Sequence, residues 1–227
     1  ANVQSDISGN ADSVAEIGIY LMIGLSRDFK NMNLNIAERK VGVPRGKALS
    51  GKTVGLVGLG GIGRSLVKRL KAFDVKIIGV KRTDQLNVKD ELGLEWVGTP
   101  KQMMELLNLS DYVVLCLPLT HENRYMMNWQ AFNEMKRDAF LINLSRGGLV
   151  DHDAMLDALA SGKIAGAGLD VFWEEPPDPQ DPIFQYNVLA TPHVGGVTDI
   201  SIQGIVKVVV ENISRLEKGQ EPLYLKQ

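Results

Sequence analysis

Val54-Gly-Leu-Val-Gly-Leu-Gly-Gly-Ile-Gly63 is an apolar run that opens into spaced glycines, Gly58, Gly60 and Gly63, just before a helical pattern begins. The spacing is Gly-x-Gly-x-x-Gly between a strand and a helix, and there each glycine has a task. Gly58 permits the tight turn out of the strand, Gly60 lets backbone approach a pyrophosphate, and Gly63 lets the helix pack on the sheet. The helix start, with Gly61, Ile62 and Arg64, supplies free amides, partial positive charge and one further cation for phosphates. The stretch predicts a dinucleotide-binding turn.

Outward from this turn, short apolar runs alternate with helical patterns. Strands are predicted at 53–57, 76–80, 112–117, 140–143, 165–169 and 188–190, and helices at about 62–73, 100–107, 129–135 and 152–161. Six strands buried on both faces and separated by helices imply an α/β fold, a doubly wound parallel sheet of the Rossmann dinucleotide-binding type. Upstream, Ser13-Val-Ala-Glu16 fits a capping box opening a helix that runs through Leu25 and past Arg27 towards Glu38. Residues 41–51 read as a connecting loop. A last helix over 199–217 meets its stop signals at Gly219 and Pro222. The expected division is a dinucleotide-binding domain over 1–196, with a helical arm at 13–40, and a C-terminal helical piece over 197–227.

Composition narrows the function classes. With 227 residues, 44% hydrophobic and 23% charged, the chain has the balance of an ordinary globular protein. A net charge of −2 and a pI near 6.0 give no electrostatic reason to expect nucleic acid or an anionic membrane as partner. The apolar run 14–25 carries Glu16 and is too short to span a bilayer. Cys116 is the single cysteine and lies in an apolar run, so it reads as a core residue in a reducing, cytoplasmic compartment. No metal site is expected, because zinc-type His or Cys pairs are missing and the acidic run 174–181 is stiffened by prolines.

The second strand bears on which dinucleotide is held. An NAD site usually places an acidic residue there to accept from the ribose hydroxyls. Here the strand ends in Lys81-Arg82-Thr83, with Asp84 further on. Lys81 and Arg82 would attract a 2′-phosphate that a carboxylate would repel, so NADP(H) is expected. NAD(H) is the alternative, with Asp84 swinging in.

Three later segments each put a functional group where a strand ends: Arg146 after the fourth, Asp170 and Glu175 after the fifth, His193 after the sixth. Ligands of open parallel sheets bind outside those ends, so the groups should converge. A cation, a carboxylate and a histidine are what reduction of a 2-oxo acid needs.

Together Ser145-Arg-Gly147, Asp170-Val-Phe172 with Glu175-Pro176, and Pro192-His-Val-Gly-Gly196 resemble the D-isomer-specific 2-hydroxyacid dehydrogenase family, glyoxylate/hydroxypyruvate reductases among them. The likeness runs from Asn10 to the final helix. It implies that Arg146 holds the substrate carboxylate and polarises its carbonyl. It also implies that His193 gives a proton to the carbonyl oxygen, with Glu175 paired to His193 and favouring the imidazolium. Asp170 would orient the nicotinamide amide, while Leu117, Pro118, Asn123, Leu144, Ser145, Gly195 and Gly196 would line the cofactor cleft. Asn123 stands where relatives often carry Thr. The substrate would be a small 2-oxo or 2-hydroxy acid, and the arm would make a homodimer. The resemblance also implies a substrate domain built mostly from an N-terminal segment that this chain lacks, so a truncated chain is expected, one that binds a dinucleotide and turns over poorly alone. The rival reading is a dinucleotide-sensing, corepressor-like binding module without turnover.

Overall fold

The computed structural model describes residues 9–83 and 85–223. The chain enters through α1 (Asn10–Ser26) and α2 (Phe29–Ala37) and then builds β1 (Thr53–Val57), α3 (Gly61–Leu70), β2 (Lys76–Val80) and α4 (Gln85–Leu92). Next come β3 (Trp96–Gly98), α5 (Met103–Leu109), β4 (Tyr112–Leu115), α6 (Trp129–Glu134) and β5 (Phe140–Asn143). It closes with α7 (His152–Ala160), β6 (Gly166–Leu169), β7 (Val188–Ala190) and α8 (Asp199–Glu217). The seven strands lie in the order β3-β2-β1-β4-β5-β6-β7, every neighbouring pair parallel. Strand order reverses between β1 and β4, which opens a crevice at their carboxyl ends.

The alternation along β4 explains the layers. Tyr112, Val114 and Cys116 join Leu21 of α1 and Leu66 and Leu70 of α3 in one apolar cluster. Val113 and Leu115 join Leu106 of α5, Phe132 of α6 and Met155 of α7 in the other. A strand apolar on both faces is the pattern that a parallel sheet covered by helices requires. Each fully buried Val or Leu of this kind contributes about 1.5–3 kcal/mol.

The structure corrects several expectations. The sheet has a seventh strand, β3, whose three half-buried or buried residues are too few to show a periodicity. The polar helix α4 escapes for a related reason: Val88 is its buried anchor, and with Leu86 and Leu92 it leaves too few apolar residues to mark a helical period. Strand β4 stops at Leu115, two residues early. The Ser13–Glu16 box is not a helix start, because α1 begins at Asn10 behind Gly9 in a left-handed conformation. Ser13 Oγ instead bonds back to Gly9 O and to Thr198 Oγ1, while Glu16 reaches Arg69. The single long helix expected from residue 13 towards 38 breaks at Asp28, whose φ is 55°. Helix α8 has the predicted bounds, and Ile202, Ile205, Val206, Val209, Val210 and Ile213 stand exposed along it. No described helix is long and apolar enough to cross a membrane.

Candidate active site

At the exit of β1, Gly58 has φ 102° and donates its N–H to Val80 O. A Cβ there would lie 2.8 Å from the Cys116 carbonyl oxygen across the crevice. A Cβ on Gly63 would lie 2.3 Å from Gly58 O, so α3 can seat against the turn only with glycine at that place. Gly60 is different: a Cβ there meets no protein atom within 4 Å. The protein leaves its face open at the N-cap of α3, a helix start whose first amides lack intrahelical acceptors. This cradle fits a pyrophosphate.

The flanks of the crevice carry charge. Lys81 and Arg82 follow β2, with the Lys81 N–H on Gly98 O. Arg64 forms a bidentate pair with Glu91 of α4, so the sequence expectation of a phosphate contact meets a guanidinium already engaged by a carboxylate. Arg64, then the positive field of Lys81, holds the Glu91 carboxyl below the usual glutamate range. On the facing loop, Asn123 accepts from Thr120 N–H and donates to Pro118 O, which closes the turn behind Leu117 and Pro118. Glu122 in that turn is also held low, by the Thr120 hydroxyl first and with Arg82 contributing across the gap. Asp84 lies outside the described residues.

The loop after β5 is built on Asn143, a buried asparagine ending an apolar strand. Its side chain accepts from Ser145 N–H at 3.1 Å and donates to Arg146 O at 2.9 Å. Ser145 Oγ donates to Leu115 O, which ties this loop to β4, and Leu144 is buried beneath it. Arg146 emerges exposed, one guanidinium nitrogen on Ser145 O.

Beyond β6 and β7 the groups meet. His193 Nδ1 lies 2.8 Å from Glu175 Oε2, with the two side chains 42% and 41% exposed. Glu175 Oε1 accepts from Phe172 N–H at 3.2 Å. The His193 ring, helped by that amide and by the charge of Arg146, keeps the Glu175 carboxyl below its ordinary value. The backbone at His193 is left-handed, φ 54°, a conformation that costs of order 1 kcal/mol in a residue with a Cβ. Asp170 holds it there. Only 2% exposed, Asp170 accepts from Thr191 Oγ1 and Val194 N–H through one oxygen and from Gly195 N–H through the other. Both of its oxygens therefore serve the turn on which His193 sits, with Gly196 next in the chain.

Sequence reasoning named Asp170 for the cofactor and missed this second use. It did not single out Asn143 at all, although a lone polar residue ending an apolar strand was a usable signal. Cys116 is a core residue, its thiol pushed up to about 12 by burial. Among the described residues no three His, Cys, Asp or Glu side chains gather as a metal would need.

Comparison with known proteins shows the family and the fold. Residues 19–195 match the family model described as D-isomer specific 2-hydroxyacid dehydrogenase, NAD binding domain. A glyoxylate reductase of Pyrococcus horikoshii is 41% identical over 172 residues, covering 76% of this chain and 50% of the relative. Among solved structures, a glyoxylate reductase from Paecilomyes thermophila superposes with TM-score 0.83 at 31% identity, over 93% of this chain and 64% of that one. A D-isomer specific 2-hydroxyacid dehydrogenase from Xanthobacter autotrophicus Py2, in complex with NADPH and MES, gives TM-score 0.80 at 29% identity, over 96% of this chain and 88% of that one. The chain spans about half the length of the curated relatives it matches.

Proposed function

The chain belongs to the D-isomer specific 2-hydroxyacid dehydrogenase family, and from that premise we propose that it is the catalytic core of an enzyme reducing a small 2-oxo acid to a D-2-hydroxy acid. The observation that carries the reading is the His193–Glu175 pair at the carboxyl edge of the sheet. Glu175 occupies Nδ1, which leaves Nε2 to donate a proton to a carbonyl oxygen. The guanidinium of Arg146 is suited to bind the substrate carboxylate and polarise the adjacent carbonyl. A bound nicotinamide dinucleotide would supply the hydride, so the oxo carbon gains hydride and its oxygen gains the proton. Glu175 steadies the positive ring before transfer and returns the imidazole to its reactive orientation afterwards.

The dinucleotide would lie over Gly58, Gly60 and Gly63, with Leu117, Pro118, Leu144 and Ser145 beside it and Asp170 and Gly195 near its nicotinamide end. Lys81 and Arg82 favour NADP(H). Measured dissociation constants test this: NADPH should bind more tightly than NADH, with the advantage shrinking in salt. Tighter NADH binding would overturn it. Residues 197–227 form part of a substrate domain, and the arm with its exposed Phe29, Met32, Leu34 and Ile36 makes a homodimer, which sedimentation would register as twice the chain mass.

One assay tests the activity: NADPH oxidation with a panel of 2-oxo acids, using this chain and a version extended to the length of its relatives. The extended protein should reduce glyoxylate or hydroxypyruvate. If it binds cofactor and reduces nothing in the panel, the enzyme reading fails and a dinucleotide-sensing module takes its place.

A further inference from the structure

His152, at the start of α7, lies outside the groups discussed so far. Its Nε2 is 3.0 and 3.1 Å from the two oxygens of Asp181, and its Nδ1 is 3.2 Å from Asp153 Oδ1. The ring meets Trp173 edge-on, centroids 4.7 Å apart. A neutral imidazole carries one N–H and one lone pair, so it cannot donate to carboxylates from both nitrogens. The arrangement calls for an imidazolium.

Apart from Asp153 beside it on α7, what His152 touches is a single loop. Trp173 begins it, Asp181 ends it, and Glu175 lies between. Within the loop, Asp178 meets the N–H groups of Gln180 and Asp181, and Glu175 accepts from the N–H of buried Phe172 just before it. It is tied to the rest of the fold where Trp173 Nε1 donates to Val150 O at 2.7 Å, where Asp181 meets His152 and accepts from the N–H groups of Ile183 and Phe184, and where Glu175 meets His193. Its backbone at Phe172 and Trp173 also presses on Gly147, where a Cβ would come within 2.1 Å, so the loop's seat bears on the Arg146 turn as well.

We propose that His152 is a positioning residue for Glu175: as an imidazolium it fastens both ends of the 173–181 loop, and so keeps the Glu175 carboxylate on His193. The proposal rests on the reading of the His193–Glu175 pair given above. Around the ring stand Asp153 on α7, Asp181 on the loop and the Trp173 indole. Asp151, next in the chain, turns its carboxylate to Ala154 N–H. Burial works against the charged ring, but Asp153 and Asp181 outweigh it and raise its pKa above 6.5.

The test needs no turnover. In isotope-labelled protein, NMR follows the His152 ring, the Trp173 indole N–H and the Glu175 carboxyl carbon against pH. The Trp173 signal should shift with the His152 titration, at a midpoint above 6.5. Glu175 should titrate below 4.5 in the native chain and move back towards 4.5 in His152→Gln. Asp181→Asn should do the same, since asparagine can still cap Ile183 N–H but lacks the charge. Asp153→Asn should leave Glu175 unmoved, because Asp153 is not on the loop. An unchanged Glu175 titration in both His152→Gln and Asp181→Asn overturns the proposal, as does a Trp173 signal blind to His152. Should His152→Gln fail to fold, Asp181→Asn decides alone. If the couplings hold and the extended protein reduces no 2-oxo acid, only the functional reading falls.

Discussion

The edge beyond β7 and the start of α7 each present a histidine to carboxylates, and they use the ring in different ways. His193 gives Glu175 one nitrogen and keeps the other free, on a side chain 42% exposed. His152 gives both nitrogens away, to Asp153 and Asp181, on a side chain 31% exposed. A proton donor has to keep one nitrogen for its substrate, and a fastener gains by using both. Proximity to carboxylates therefore does not separate the two roles, whereas the count of free nitrogens does.

The largest expected contrast comes from removing the rings. His193→Ala should cut turnover of the extended protein by about 10²–10⁴-fold, the usual worth of a placed general acid. Cofactor affinity should stay within a few-fold, by fluorescence titration. Loss of both together would make His193 a structural residue and erase the distinction. Glu175→Gln is milder. It keeps an acceptor for the ring and loses the charge, so kcat should fall on the order of tenfold, about 1.5 kcal/mol of charge-assisted hydrogen bonding. Steady-state kinetics would show the contrast blurred if this loss matched that of His193→Ala.

The sequence made part of this legible. The Gly58–Gly63 turn, the strands β1, β2 and β5 and the full extent of α8 follow from local patterns of apolarity and glycine, which need no knowledge of distant neighbours. Arg146, Glu175 and His193 stood out as candidates because each follows a strand end, and the structure pairs His193 with Glu175. What escaped depends on contacts across the chain. His152 read as a helix-start residue because its partner Asp181 is 29 positions away. The Arg64–Glu91 pair escaped because Glu91, 27 positions on, belongs to a helix whose own pattern is weak. Asp170 shows the same limit, since its use depends on a turn that only the folding of β7 beside β6 brings near.

The smallest effect is on stability. His152 has its pKa raised in the folded chain, so its contribution is complete below 6.5 and is lost as pH rises through the raised value. Glu175 runs the other way: its folded pKa is lowered, so its contribution is present above 4.5 and is lost as pH falls through the lowered value. Urea unfolding at a series of pH values should register the His152 part as about 1 kcal/mol or less, absent in His152→Gln. An equal pH dependence in that variant would place the titrating group elsewhere.

Asp170 directly follows β6, a fully buried strand, whereas His193 follows β7, a short edge strand no more than half buried. Because Thr191, Val194 and Gly195 hang from the Asp170 carboxylate, the His193 ring takes its steadiness from the inner strand and not from the one that leads to it. The edge is then free to breathe. Amide protons of β7 can exchange with solvent during brief local openings while His193 stays in register with Glu175.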